Sequence, residues 1–187
     1  MSQLTFRLAA TLALASALLL AGCTSDGPIV LPGPAPTTAP VFATDEDALA
    51  AAEVAYGEYL KVIDEILADG GKDGDRLLKV ATEDVLRFEQ TGFDRVLDSG
   101  HRSVGHTKFD SMVLQQYEPL AQEGEPMVVV YVCDNLSEVD VVDATGKSVV
   151  EPGRKSRIPF EVSFDLTEES ALIVSASEGW TGEDFCD

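Results

Sequence analysis

Two hydrophobic periods divide the chain. From residue 44 onward Leu49, Ala52, Tyr56, Tyr59, Leu60, Ile63, Ile66 and Leu67 recur at three-and-four spacing, the period of a helix with one buried face. Thr44 followed by Asp45, Glu46 and Asp47 has the chemistry of an N-cap and an acidic first turn, and Gly70-Gly71 supplies a stop, so a helix of about 25 residues is predicted. A shorter helix fits Asp75 to Ala81. A third fits Glu83 to Leu97, capped by Thr82 and ended by Ser99-Gly100, with Val85, Phe88, Phe93, Val96 and Leu97 on its buried side.

Beyond Gly100 the period becomes two. In Ile158 to Leu166 the residues Ile158, Phe160, Val162, Phe164 and Leu166 share one face, and Pro159, Glu161, Ser163 and Asp165 share the other, which predicts a strand between core and water. Further strands are predicted at Lys108 to Tyr117, Met127 to Cys133, Val139 to Val142 and Ala171 to Ser177, with a short one near Arg102 to His106. Asp143-Ala144-Thr145-Gly146 and Glu151-Pro152-Gly153-Arg154 read as turns. Helices first and antiparallel strands afterwards give an α+β fold, N-terminal helices packed on a curved antiparallel sheet. The stretch 44–187, about 144 residues, is one domain long enough for a real core.

Upstream of Thr44 neither period appears. Thr24 to Ala43 holds five of the nine prolines and little charge, so residues 23–43 read as a tether of extended polyproline character. Before it, Arg7 and the amino terminus precede thirteen uncharged residues, Leu8 to Leu20, and then Leu20-Ala21-Gly22-Cys23. Thirteen residues are too few for a membrane span, which needs roughly 20. Positive start, short apolar run and small residues before a cysteine are the parts of an export signal. This block resembles a bacterial lipoprotein signal. The resemblance implies that residues 1–22 are removed, that Cys23 is acylated, and that the mature protein sits on the extracytoplasmic face of the cell membrane.

Losing Arg7 leaves 12 basic residues against 33 acidic ones, so the net charge moves from −20 to −21. Such a chain is repelled by nucleic acid and by anionic lipid, and membrane affinity falls to the acyl chains. With Cys23 taken by lipid, Cys133 and Cys186 remain as an even pair in an oxidising compartment, where a disulfide is the default. Closing that loop stabilises the fold by about 4 kcal/mol in the chain-entropy model.

The order of elements resembles the cone-shaped, cystatin-like architecture of the nuclear-transport-factor-2-like superfamily. A nearer likeness is to small secreted lipoproteins of high-GC Gram-positive bacteria, carried by Tyr56 and Tyr59 in the first helix, Cys133-Asp134-Asn135-Leu136-Ser137, and the terminal Trp180-Thr181-Gly182-Glu183-Asp184-Phe185-Cys186. The first resemblance implies a pocket between helix and sheet; ketosteroid isomerase and scytalone dehydratase, of the same architecture, use it for acid–base chemistry. Asp134 and Asp140 are then the carboxylate candidates, with Tyr56, Tyr59 and Tyr131 as hydrogen-bond partners, although no catalytic motif of either enzyme matches residue by residue. Asp134 before Asn135 also suits a turn or strand-end cap.

Other chemistry is thinner. His101 and His106 are five positions apart, an odd offset that puts them on opposite faces of an extended segment, and a shared zinc site would lack a third ligand. Asp69 to Asp75 imitates the start of a calcium loop, but Gly71 stands at its third position and Val80 at the twelfth, where a bidentate Glu belongs. Lys147, Arg154, Lys155 and Arg157 form a basic cluster, read first as a solvated hairpin balancing nearby acids and otherwise as a docking face. Ser137 lacks a nucleophile-elbow pattern, no glycine-rich phosphate loop is present, and Trp180 reads as a core anchor.

The leading expectation is a non-enzymatic lipoprotein, without cofactor, metal or catalytic residue, that binds a protein partner or a small apolar ligand. The alternative is a lyase or isomerase acting through Asp134 and a tyrosine; a closed, filled cone without an inward carboxylate excludes it, and an open pocket around a buried Asp134 puts it first. A homodimer formed through the outer sheet face is a third possibility.

Overall fold

A computed structural model describes residues 40–122 and 125–186. The leader, Cys23 and nearly all of the tether lie outside the described residues. Within them no helix is long and apolar enough to cross a membrane. The order is α1 (Asp45–Ala68), a 3₁₀ helix (Gly74–Lys79), α2 (Glu83–Ser99), then β1 (Arg102–Val104), β2 (Lys108–Tyr117), β3 (Val128–Asn135), β4 (Asp140–Val142), β5 (Arg157–Leu166) and β6 (Leu172–Gly179). The fold is α+β, as the two periods predict.

α1 begins where its cap is. Thr44 is extended and its hydroxyl accepts from the Asp47 amide at 3.1 Å, satisfying one of the donors a helix start leaves open. It ends at Gly70 and Gly71, both left-handed, with the Gly71 amide bonded to the Ile66 carbonyl. A Cβ on Gly71 would lie 2.2 Å from the Phe93 carbonyl oxygen, so only glycine lets α2 come this close. Phe42, two residues before the cap, is already part of the domain: its amide and carbonyl both bond the Tyr117 hydroxyl, and the two rings lie 5.8 Å apart.

The predicted helix at Asp75 to Ala81 is the 3₁₀ turn, and α2 is less buried than its apolar positions suggest. Val85 and Phe93 are in the core, but Phe88 is 70% exposed and Leu97 46%. Val85, Glu89 and Phe93 form the inward row at four-residue steps, and Phe88 lies off it. Thr82 occupies the cap position without capping; its amide bonds the Val174 carbonyl, while its hydroxyl is buried without a partner among the described residues.

Four strands form one antiparallel sheet in the order β2-β3-β5-β6, and β1 pairs with β4 in a separate two-stranded ribbon. Val128, Val130, Val132, Val162, Phe164 and Val174 are fully buried on the inner face, against Ala48, Ala52, Tyr56, Leu60 and Ile66 of α1. Burying such side chains is worth about 1.5–3 kcal/mol each, so this layer holds helix to sheet. On β5 the expected alternation breaks at one end: Ile158 and Phe160 are only half-buried, while Pro159, expected to meet water, is buried. The residues after β6 turn across the outer face there, with the Trp180 amide bonded to the Pro159 carbonyl. Cys133 and Cys186 are joined in a disulfide with Cα atoms 5.6 Å apart, which fastens this segment to β3.

Candidate functional site

Ile158 and Phe160 are half-buried because the inner face is not fully packed. Between α1, α2 and the sheet lies a cavity of about 280 Å³, partly open to solvent. Leu60, Ile63 and Leu67 of α1, Val96 of α2 and Ile158 and Phe160 of β5 make its walls apolar. Its polar side chains include Tyr56, Tyr59, Asp64, Glu89 and Asp134, and no Lys, Arg or His is among the described residues that line it.

Asp134 reaches the cavity through strand periodicity. Val128, Val130 and Val132 point inward, and Asp134 is the next residue of that register, paired with Ile158 across β5. It is 6% exposed. The Tyr56 hydroxyl donates to its Oδ1 at 2.9 Å, and its Oδ2 has no hydrogen-bond partner among the described residues. Burial pushes the carboxyl up from 3.8 to about 7; the nearby Asp64 adds to this and the Tyr56 hydrogen bond opposes it. The Tyr56 phenol is itself driven well above its ordinary value, first by burial and then by the Asp134 charge.

A second tyrosine–carboxyl pair stands beside the first. The Tyr59 hydroxyl donates to Glu89 Oε1 at 3.0 Å, and the Tyr56 and Tyr59 rings stack with centroids 5.8 Å apart. Burial raises the Glu89 carboxyl, against the lowering effect of the Tyr59 hydrogen bond, and burial with the Glu89 charge pushes the Tyr59 phenol far up. Asp64, also buried, accepts from the Thr107 amide and hydroxyl, both at 2.8 Å, and so ties the β1–β2 connection to α1. Sequence reasoning missed Glu89 and Asp64. Both carried a signal: Glu89 interrupts the Val85–Phe93 row, and Asp64 follows Tyr56 and Leu60 at four-residue steps along the buried side of α1.

The remaining sequence candidates separate. Tyr131 is not in the cavity; one residue out of register with Asp134's face, it points to the other side of the sheet, where its ring lies 4.7 Å from Trp180 and 5.4 Å from Phe185. Trp180 is thus an anchor of an outer aromatic cluster rather than of the main core. Asp140 lies on the ribbon, where its Oδ1 accepts from the Val141 amide and the Ser148 hydroxyl. The strand-end cap belongs to Asn135, whose side chain accepts from the Ser137 amide, while Asp134 stays in the ladder. His106 is 87% exposed with Nδ1 3.8 Å from Asp64 Oδ2, and His101 acts instead on Asp143. Asp69, at the head of the acidic loop, pairs with Arg76 at 2.8 Å.

Three of the four residues of the basic cluster are engaged within the fold. Arg154 donates to the Leu136 and Val139 carbonyls, Lys155 pairs with Asp184, and Arg157 grips both Asp110 oxygens at 2.7 Å and the Cys186 carbonyl at 2.6 Å. Arg157 also holds the Asp110 carboxyl below its ordinary value.

No family model and no curated protein matches the chain. Among solved structures it is similar to the intermembrane space region of chloroplast protein ARC6, at 9% identity over 70% of this chain and 95% of that one, with a TM-score of 0.48. It is also similar to Aln2 from a Streptomyces species, at 16% identity over 74% of this chain and 92% of that one, with a TM-score of 0.43.

Proposed function

We propose that this chain is an extracytoplasmic lipoprotein of cone-shaped, nuclear-transport-factor-2-like type, cut before Cys23 and anchored by acyl groups there, whose cavity binds one small, mainly apolar molecule. The leader pattern supports the address. The ligand reading is carried by one observation, the largely buried Asp134 carboxyl on the wall of an apolar cavity, one oxygen bonded by Tyr56 and the other making no hydrogen bond among the described residues. Taking a carboxylate out of most of its water costs folding stability unless it is paired. A ligand group that completes it recovers that loss. At about 280 Å³ the space sits near the roughly 300 Å³ lower end of small-molecule pockets, so the ligand is small.

Native mass spectrometry of the protein taken from its own envelope tests both parts. The expected species begins at Cys23, carries acyl groups and retains a small molecule that the Asp134→Asn chain loses. A species that keeps residues 1–22, or an intact cavity that never holds a ligand, overturns the corresponding part.

Acid–base catalysis of lyase or isomerase type is the second reading, and the buried Asp134 in an open cavity favours it, because a carboxyl near 7 is poised to exchange protons at neutral pH. It stands second because its tyrosine half is weak. Tyr56 and Tyr59 are each engaged with a carboxyl and both are pushed up in pKa, so they donate hydrogen bonds but are poor proton donors. Turnover of a bound ligand that vanishes in Asp134→Asn, with binding kept, reverses the order.

A further inference from the structure

We infer that the ligand is a small organic amine, bound as its ammonium ion against the free oxygen of Asp134; this rests on the binding reading above. The cavity's charge pattern is one-sided. Its acidic side chains come from three elements, Asp64 on α1, Glu89 on α2 and Asp134 on β3, and no basic side chain among the described residues lines it. The strands β1, β5 and β6 contribute only Ser103, Ile158, Phe160 and Ser177 to the walls, none of which titrates. The nearest imidazole, His106, is out in solvent and faces Asp64 rather than Asp134. An anion entering this space meets three acids and no counter-charge. A neutral molecule leaves the burial of Asp134 uncompensated. An ammonium group brings the missing donor and the missing charge together, and a charge-assisted bond is roughly twice as strong as a neutral one.

The two tyrosines fix the acids in place: Tyr56 and Tyr59, buried and stacked on each other at 21°, give their hydroxyls to Asp134 and Glu89. Asp64 takes two donors from Thr107, while Glu89 and Asp134 each take one, from Tyr59 and Tyr56. Of the two singly bonded acids Asp134 is the buried one, and so the one that gains most from a ligand's charge. Binding an ammonium ion then releases the proton that Asp134 holds when the cavity is empty at acidic pH.

Benzylamine, benzyl alcohol and benzoate, alike in shape and different in charge, provide the test on the purified full-length protein, with labelled methyl groups of Ile63 and Ile158 showing whether a probe enters the cavity. Near pH 8 benzylamine is expected to shift both methyls and to bind about tenfold tighter than benzyl alcohol, with benzoate not entering; near pH 5.5 the preference for the amine shrinks by about threefold or more as Asp134 takes up its proton. Benzyl alcohol binding as tightly as benzylamine near pH 8, or benzoate entering, overturns the amine inference and leaves the cavity reading intact. Failure of all three probes to move either methyl overturns both. Amine binding that shifts only surface resonances is the general attraction of an acidic chain and also overturns the inference. Asp134→Asn, folded as judged by its methyl spectrum, is expected to lose the preference; should it not fold, the pH series on the unaltered protein decides alone.

Discussion

The two faces of the four-stranded sheet treat charge in opposite ways. On the outer face Arg157 joins Asp110 and the Cys186 carbonyl, Lys155 joins Asp184, Tyr131 stacks against Trp180 and Phe185, and a disulfide closes the segment onto β3. Every one of these charges has an opposite charge or a carbonyl beside it at the rim of solvent. On the inner face, one residue further along the same strand, Asp134 is buried without a cation and with one oxygen free. The outer arrangement stabilises; the inner one costs stability. A fold that carries a costly group in a cavity, when a valine at that register would pack, marks that group as a candidate for binding or reaction.

The largest expected effect breaks the outer face. Replacing Cys133 and Cys186 together by alanine frees a closed segment of 53 residues, and a loss of about 4 kcal/mol is expected in denaturant unfolding, with the inner-face methyl spectrum unchanged where the protein is folded. Loss of the cavity spectrum under native conditions would show that the faces are not separable.

Asp134→Asn comes next and has the opposite sign. A carboxyl that titrates near 7 when folded and near 3.8 when unfolded keeps its proton longer in the native state, so its contribution to stability falls as pH rises through that window and the cost is complete above it. Asparagine removes the dependence. The variant should gain on the parent across the window, by up to about 4 kcal/mol near pH 8, in paired urea titrations. A variant less stable than the parent at that pH contradicts the buried, uncompensated carboxylate.

Trp180→Ala sharpens the contrast from the outer side. Removing the half-buried ring from its stack should cost about 2 kcal/mol and leave the pH dependence of stability untouched. Tyr56→Phe is the smallest and the most local. It deletes the hydrogen bond to Oδ1, costs about 1 kcal/mol, and moves the Asp134 midpoint further up because that bond favours the ionised form. A midpoint that moves down in the carboxyl resonance would overturn the pairing.

The elements were legible because period and punctuation agreed. Thr44, Gly70-Gly71 and Gly100 mark helix ends that the structure reproduces, and β2 spans Lys108–Tyr117 as alternation predicts. α2 departs from its pattern, since not all of its apolar positions are buried. Phe88 shows that hydrophobicity alone does not place a side chain, since its own helical row faces water. The site is half legible: Tyr56, Tyr59 and Asp134 line the cavity as the sequence pattern expects, Tyr131 does not, and Glu89 and Asp64 join them. The same alternation that takes Val130 and Val132 inward assigns Asp134 to the cavity and Tyr131 to the opposite side. A charged residue on an otherwise apolar row is the local signal for Glu89 and Asp64. What the sequence could not supply was the gap itself, because an unfilled volume depends on how far α1 and α2 stand from the sheet.

The most direct test is a carbon-detected titration of the Asp134 carboxyl in the ligand-free protein. A midpoint near 7 is expected, displaced downward when an amine occupies the cavity. A midpoint near the ordinary 3.8 would mean that water already solvates this group, and the distinction between the two faces would be gone.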